Sequence, residues 1–178
     1  MSAEENKALA RRFLEAQVNG ELDTLDELLA PDFVDYSLQP GQEPGPEGFM
    51  QLVAQLSAAV SNASVHFEDQ AAEGDKVISR LTTKRTHDRA EYLGFPPSGM
   101  EIKTTDIIIH RISEGKIVEE WSESSGLADA MRRRLEREDR ARAHRAATQG
   151  GEAHPASLPA QGGARTGGLG DHPLLPAR

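Results

Sequence analysis

The chain has 178 residues, no cysteine and a formal net charge of −9. This length is enough for one domain with a proper core, and the lack of cysteine excludes disulfides, thiolate nucleophiles and cysteine-ligated metals. Residues 1–130 hold 11 Lys or Arg against 24 Asp or Glu, whereas residues 131–178 hold 9 against 5. Because phosphate contacts need a basic surface, the acidic body argues against nucleic-acid binding.

The sequence contains no pattern typical of membrane insertion or export. Its longest apolar runs are far too short to span a bilayer. The first residues lack the basic start and the apolar middle of a signal peptide. We therefore expect a soluble, cytoplasmic protein that binds no membrane.

Two helices are predicted at the start of the chain. Ser2 and Glu5 form a capping-box pattern, and the apolar stripe that follows ends at Gly20, which predicts the first helix. Residues 23–29 predict a short second helix, which Pro31 stops.

A loop and a third helix are predicted next. Residues 39–46 are rich in Pro and Gly, which excludes regular structure there and predicts a loop. Apolar residues then recur at helical spacing to about Asn62, and Pro46 suits the first turn of such a helix.

Four strands are predicted after the helices, in segments that are rich in β-branched residues: 65–70, 77–87, 100–112 and 116–122. Gly115 predicts a three-residue hairpin loop between the last two. Helices gathered before antiparallel strands indicate an α+β fold, in which the helices cover one face of a curved sheet.

This loop predicts which side chains share a surface of the last two strands. On one side lie Asp106, Ile108 and His110 from the first strand of the pair, and Val118, Glu120 and Ser122 from the second. Asp106 would lie opposite Ser122, and Asp106 and Glu120 would be diagonal neighbours, near enough for their ionisations to couple. Trp121 projects from the other surface, where packing or a dimer contact is expected.

The last part of the chain changes character. A helix is predicted after Ser124 and could continue through Arg145 with mixed charges. Residues 146–178 contain 11 Gly or Pro among 33 and no aromatic, Ile or Val, which predicts disorder. The predicted organisation is a folded domain over 1–134, a charged helical extension over 135–145 and a disordered tail over 146–178. In a weaker alternative, the Arg-rich segment recruits an acidic partner.

No motif predicts a reaction by spacing alone. His66, His87 and His110 lie on three different predicted strands and could converge. Scattered strand histidines are more often surface or hydrogen-bonded core residues, so we predict no metal site.

Candidate acid–base residues come from the two last strands. Asp106 lies inside a β-branched strand, where it either faces a pocket suited to proton transfer or bonds a neighbouring Thr or Arg, and position alone favours the second interpretation. Glu120 could pair with Asp106, bond His110, or lie on an exposed edge. Tyr36 and Tyr92 are in predicted loops, where pocket rims form.

Two segments resemble the SnoaL-like polyketide cyclase family, also described as ester cyclases. Residues 85–99, RTHDRAEYLGFPPSG, resemble its GTHxGxxxGxPPTG signature, although Arg85 stands where that signature has Gly. Residues 106–121 are similar to its DxxxxRIxxGKIVExW segment. The resemblance spans residues 4–134. It implies a nuclear transport factor 2-like cone, in which a bent antiparallel sheet encloses an apolar pocket, and a homodimer formed through the open sheet face.

The resemblance also implies chemistry. Cyclases of this family close a ring by an intramolecular aldol step without metal or cofactor, using a carboxylate for proton transfer. The family's catalytic aspartate corresponds to Ser122 here, and a histidine common two residues earlier corresponds to Glu120.

Two hypotheses follow. In the first, the protein is an enzyme acting on a small, largely apolar carbonyl compound, with Asp106 as base and Glu120 as second proton carrier. The residues then predicted to bind the substrate are Tyr36, His87, Tyr92, Ile108 and Ser122. In the second, it is a non-catalytic binding protein that has lost the family carboxylate, with Ser122 in its place. A pocket holding two carboxylates favours the first, and a wholly apolar or filled one the second.

Overall fold

The computed structural model, which describes residues 1–39, 41–125 and 127–149, contains four helices and five strands among these residues. The helices are α1 (Ala3–Asn19), α2 (Leu22–Leu28), α3 (Gly45–Ala59) and α4 (Leu127–Gln149). The strands are β1 (Leu29–Asp35), β2 (Val60–Glu73), β3 (Lys76–His87), β4 (Met100–Ser113) and β5 (Lys116–Ser124). Their order along the chain is α1, α2, β1, α3, β2, β3, β4, β5, α4. The predicted α+β class is confirmed. The chain divides into two units, Met1–Arg140 and Ala141–Arg178, and the sheet belongs to the first.

The five strands form one mixed sheet in the order β1-β5-β4-β3-β2. Strands β2 to β5 pair antiparallel in chain order, but β1 joins β5 in parallel. The expectation of a purely antiparallel sheet of four strands was therefore wrong at this edge. Local patterns did not reveal β1, because Pro31 lies inside it and its partner strand comes more than 80 residues later in the chain.

The predicted start and end of α1 are confirmed. The Ser2 hydroxyl accepts a hydrogen bond from the Glu5 backbone N–H at 3.3 Å, and a Glu5 carboxylate oxygen accepts one from the Ser2 backbone N–H at 2.6 Å. At the other end, Gly20 has φ 74° and its N–H bonds the carbonyl of Ala16. Both ends of the helix thus satisfy backbone groups that would otherwise lack partners.

The core lies between the helices and one face of the sheet. Its centre is a group of three rings, in which Phe13 and Phe49 are stacked with centroids 5.6 Å apart and Phe33 meets Phe49 edge-on at 5.4 Å. The sheet contributes alternate, buried side chains to the same cluster: Val77, Leu81, Ile108, Ile112 and Ile117. This alternation is what a strand with one buried face requires.

The hairpin between β4 and β5 differs from the prediction. Ser113 pairs with Lys116, so the loop has two residues, Glu114 and Gly115, both with positive φ. Such a loop matches a type I′ turn. A register shift then follows between Arg111 and Ile112.

Beyond this shift, the observed pairs differ from the predicted ones by two residues. His110 lies opposite Glu120, Ile108 opposite Ser122, and Asp106 opposite Ser124. Because side chains alternate with a period of two, an even shift keeps the same residues on the shared face. Asp106, Ile108, His110, Glu120 and Ser122 therefore share a face as predicted, but with other partners. At the shift the prediction was wrong, since Ile117 and not Val118 contributes to the core.

The C-terminal part of the chain is only partly described. Helix α4 ends at Gln149, and the rest of the predicted disordered tail lies outside the described residues. The domain boundaries at residues 134 and 145 stay predictions. None of the helices in the described part has the length and apolar character that crossing a bilayer requires.

Candidate functional site

A cavity of about 180 Å³ lies on the inner face of the sheet. Its apolar wall includes Leu14, Phe49, Leu52, Val53, Leu56 and Ile108. Its polar lining includes Asp35, Arg85, Thr104, Asp106, Glu120 and Ser122. An apolar hollow with a few convergent polar groups is the usual form of a small-molecule site.

Glu120 is the most enclosed carboxylate of this cavity. It is 3% exposed, and its Oε2 lies 2.9 Å from Nε2 of His110, which is fully buried. An ionised carboxylate can only accept, so Nε2 carries the proton when Glu120 is charged. The other oxygen, Oε1, makes no hydrogen bond within the described residues, so it is available to a ligand.

His110 is held in place by its surroundings. The Phe13 ring meets it edge-on at 5.2 Å, and its Nδ1 has no hydrogen-bond partner in the described part of the chain. A histidine fixed in this way can orient one carboxylate oxygen of Glu120 and leave the other to the cavity.

Asp106 is half-buried and belongs to a chain of hydroxyl groups. Its oxygens accept hydrogen bonds from Ser124 and, at 3.2 Å, from Thr104. Thr104 also lies 2.7 Å from the hydroxyl of Thr83, which in turn accepts from Nη1 of Arg85 at 2.7 Å. Since each hydroxyl has one proton to donate, the direction is fixed as Arg85 to Thr83 to Thr104 to Asp106.

Arg85 and Tyr92 are two cavity residues whose pKa values differ from those of the free side chains. Burial lowers the pKa of the Arg85 guanidinium, and the nearby charges of Asp106 and Tyr92 oppose this effect. Burial raises the pKa of the Tyr92 phenol, which the Arg85 charge opposes. Each group therefore affects the ionisation of the other.

The two predicted proton carriers line one cavity but do not touch as predicted. Glu120 lies opposite His110, four residues along β4 from Asp106. At roughly 3.3 Å per residue, the two backbone positions are on the order of 13 Å apart along the strand. The prediction of diagonal neighbours was wrong, because the two-residue turn and the register shift move Glu120 away from Asp106.

The predicted substrate-binding residues divide into two groups. Ile108, Ser122 and Tyr92 line the cavity. Tyr36 does not, since it is 56% exposed and stacks on Trp121 at 4.8 Å, on the opposite face of the sheet. His87 is also absent from the lining, because it is buried with Nε2 2.8 Å from the carbonyl of Ala90.

The three strand histidines do not converge. His66 has a side chain that is 77% exposed, whereas His87 and His110 are buried with separate partners. Among the described residues, no group of three His, Asp or Glu is arranged to hold a metal ion.

Asp35 is a cavity residue that the sequence analysis missed. It is 8% exposed, and it accepts from the Ser37 backbone N–H at 2.8 Å and from Nε2 of Gln42 at 3.2 Å. In the parallel pairing of β1 and β5 its Cα partner is Glu120. The carboxylate beside Glu120 is thus Asp35, and only the recognition of β1 as a strand could have revealed it.

A comparison with protein families decides which group the chain belongs to. The model of SnoaL-like polyketide cyclases matches residues 7–133, well over half of the chain. The chain is a SnoaL-like polyketide cyclase family member. The match covers both segments on which the resemblance was recognised, and the predicted nuclear transport factor 2-like fold is confirmed with it.

Solved structures of similar proteins support the same assignment. TsrD from Streptomyces laurentii is 27% identical with a TM-score of 0.63, over 70% of this chain and 91% of that one. IdmH from Streptomyces antibioticus, a proposed polyketide cyclase, is 27% identical with a TM-score of 0.60, over 71% and 97%. AclR from Streptomyces galilaeus, a proposed hydroxylase, is 26% identical with a TM-score of 0.61, over 70% and 91%. A search of curated proteins finds no match. Membership of the SnoaL-like family thus accounts for the fold of the chain.

Proposed function

We propose that this SnoaL-like protein is a cofactor-independent enzyme that performs acid–base chemistry on a small, largely apolar carbonyl compound. The observation that carries the proposal is Glu120, a buried carboxylate that lines the cavity, with one oxygen bonded to His110 and the other without a hydrogen bond among the described residues.

Burial of Glu120 with only one hydrogen-bonded oxygen is unfavourable, and a carboxylate with a purely structural role would have partners for both oxygens. Removing a carboxylate from water is unfavourable unless its oxygens gain partners. His110 satisfies one oxygen, and the described residues provide nothing for the other. Titratable groups held in this way inside a cleft are typical of functional sites.

The reaction follows from the position of the free oxygen. Oε1 of Glu120 removes a proton from the carbon next to a carbonyl, and the C–H electron pair moves to the carbonyl oxygen to give an enolate. The enolate carbon then bonds a second carbonyl carbon of the same molecule. The resulting alkoxide receives the proton back from Glu120, so the ring closes with no net loss of atoms or electrons.

The other cavity residues take supporting roles in this proposal. Asp106 was the predicted base, but burial and the free oxygen favour Glu120 for that role. Asp106 lines the same cavity further along the strand but takes no step in this reaction, because Glu120 both removes the proton and returns it. The hydroxyl of Ser122 donates to the ligand, and Ile108 and Tyr92 shape the space around it.

Proton exchange tests the proposal without knowledge of the natural substrate. Benzylacetone in D₂O is used as a carbonyl probe, and exchange of its α protons is followed by NMR. The wild-type protein should accelerate exchange above the buffer rate, and Glu120→Gln should lose at least about 100-fold of that acceleration, because an amide cannot accept the proton.

The matched control is Glu123→Gln, which removes an exposed carboxylate from the same strand, opposite Ile107 on the outer face. Its exchange rate should stay at the wild-type value. An equal loss in both variants, or unchanged exchange in Glu120→Gln, would contradict the role given to Glu120.

A binding protein of the same fold is the second candidate. The specific observation in its favour is Ser122, which lines the cavity where the family has its catalytic aspartate, and a hydroxyl cannot act as that proton carrier at ordinary pH. Benzylacetone that raises the melting temperature without any accelerated exchange would support this function and reject the catalytic one.

The outer face of the sheet supports a homodimer, which we propose as the working assembly. Apolar side chains are exposed there on neighbouring strands, including Ile78 at 45% and Ile107 at 48%. Tyr36 and Trp121 extend the same surface as a stacked pair. Contiguous exposed apolar groups of this kind mark interaction surfaces.

A further inference from the structure

Arg85 places a cation on the inner side of the sheet. On β3, the alternate residues Leu81, Thr83 and Arg85 face the helices, and all three line the cavity. Arg85 lies opposite Ile102 of β4, whereas Glu120 lies opposite His110. Along β4, Arg85 is therefore further from Glu120 than Asp106 is.

The guanidinium of Arg85 has fewer partners than its chemistry allows. An arginine side chain offers N–H donors on three nitrogen atoms. Within the described residues only Nη1 is used, toward the hydroxyl of Thr83, and the Asp106 carboxylate is reached only through the two threonines. Burying a cation without a direct counter-ion is unfavourable, and an anion at this position would offset the cost.

Tyr92 adds a second unused donor at the same place. It is 5% exposed, it lines the cavity, and its hydroxyl makes no hydrogen bond among the residues that the structure describes. It is near enough to Arg85 for each to change the pKa of the other. A half-buried cation and a buried hydroxyl that line one cavity, and that keep donors without a partner among the described residues, define a site for a negatively charged oxygen.

We propose that Arg85 and Tyr92 form a subsite that binds a carboxylate at the end of the ligand remote from its reacting carbonyl. The proposal rests on the proposed function in one respect, since it places the ligand in the same cavity. It names the substrate class more closely, as an apolar carbonyl compound that also carries a permanent carboxylate.

Distance decides between a permanent carboxylate and the oxygen of an enolate. The oxygen of an enolate is separated by only two bonds from the carbon that loses its proton, so it must lie close to the base. The backbone of Asp106 is already on the order of 13 Å from that of Glu120 along the strand, and the backbone of Arg85 lies beyond it. An anion held by Arg85 therefore belongs to another part of the ligand.

Binding of a matched pair of probes tests this subsite. Hydrocinnamate and methyl hydrocinnamate share an apolar body, and only the first carries a carboxylate. We expect the wild-type protein to bind the acid roughly tenfold more tightly than the ester in calorimetric titration, because only the acid can make a charge-assisted hydrogen bond with Arg85. Arg85→Gln should abolish this preference, and Tyr92→Phe should reduce it.

The matched control is Lys84→Gln. Lys84 precedes Arg85 on β3, is exposed, and faces the outer side, so this variant removes the same charge from the same strand without touching the cavity. It should keep the wild-type preference for the acid. If Arg85→Gln fails to fold, Arg85→Lys takes its place, and it should retain a weaker preference because one donor geometry is lost while the charge remains.

Two outcomes would overturn the subsite: a wild-type protein that binds the ester as tightly as the acid, or an Arg85→Gln variant that keeps the preference. Neither depends on turnover, so the two proposals can fail separately. A wild-type protein that does not accelerate proton exchange, but prefers the acid in an Arg85-dependent way, rejects the catalytic proposal and retains the subsite.

Discussion

Three carboxylates of the cavity are held in three different ways. Glu120 has a buried histidine on one oxygen, Asp106 has two hydroxyl donors, and Asp35 has a backbone N–H and an amide. Hydrogen bonds to both oxygens leave less capacity for a ligand. Glu120 differs from the other two carboxylates because one of its oxygens has no hydrogen bond within the described residues.

His110→Phe tests how much the protein depends on the His110–Glu120 pair. Phe fills a similar volume but leaves the buried carboxylate without a partner, so we expect the free energy of unfolding to fall by about 3–5 kcal/mol at neutral pH. Urea denaturation measures it. His110→Phe combined with Glu120→Gln should recover part of the loss, because the amide is uncharged. A double variant that is as unstable as the single one would mean that lost packing, and not the unpaired charge, accounts for the effect.

The sequence predicted the face on which a side chain lies wherever the two-residue period of a strand alone determines that face. Ile108, Ser122 and Glu120 were expected on the face of Asp106, and they share that face. The position of Tyr36 could not be read in the same way, because stacking on Trp121 is a contact between distant segments. Asp35 was missed because its strand pairs in parallel with one far along the chain.

Among the elements, α1 has the sharpest sequence signal at its end. Gly20 has φ 74°, and a Cβ added there would lie 2.7 Å from Cβ of Ser57. Gly74 also has a positive φ of 59°, but an added Cβ would meet nothing within 4 Å. A substitution at Gly74 therefore measures the cost of a positive φ alone, whereas one at Gly20 adds the cost of a steric clash.

Gly20→Ala should destabilise the protein more than Gly74→Ala. Both substitutions carry the left-handed backbone cost of roughly 1–2 kcal/mol, and only the first adds a clash, worth about 1–3 kcal/mol. Urea unfolding of the two variants side by side measures the difference. Equal losses would show that Ser57 moves aside at no cost and that α1 is less closely packed on α3 than the distance indicates.

The hairpin between β4 and β5 shows why a register is difficult to predict. Gly115 was a correct signal for a turn, but Glu114 also adopts positive φ, which its residue type does not indicate. The register shift next to Arg111 has no local sequence signature either. The two-residue turn and the bulge together displaced the pairing by two residues. As a result, Asp106 and Glu120 are not the diagonal neighbours that were predicted.

For the whole molecule, the proposed dimer depends on the outer face of the sheet. Ile107→Glu would place a charge in the middle of that face, and burying it at an interface without a partner is unfavourable. We expect sedimentation to show a dimer for the wild-type chain and a monomer for this variant.

Gln51→Glu, an exposed change on α3, is the control and should leave the dimer intact. A wild-type chain that sediments as a monomer, or a dimer that Ile107→Glu does not weaken, would contradict the proposed interface.

The overall architecture was the most predictable level, since two motifs and the order of helices and strands led to the family that the comparison then identified. The surface proposed for dimerisation was less predictable, because the sequence alone does not reveal which exposed apolar side chains lie next to one another. The family match ends at residue 133. Recruitment of an acidic partner by the segment from Arg132 to Arg145 therefore stays a prediction that family membership does not address.

The stacked pair on the outer face has an optical consequence. Trp121 is the only tryptophan in the sequence, its ring lies nearly parallel to that of Tyr36, and Nζ of Lys76 lies 5.5 Å from its centre. Intrinsic fluorescence excited at the indole therefore originates from this surface alone. The proposed dimer would cover this fluorophore, so we expect acrylamide to quench it more strongly as the protein is diluted.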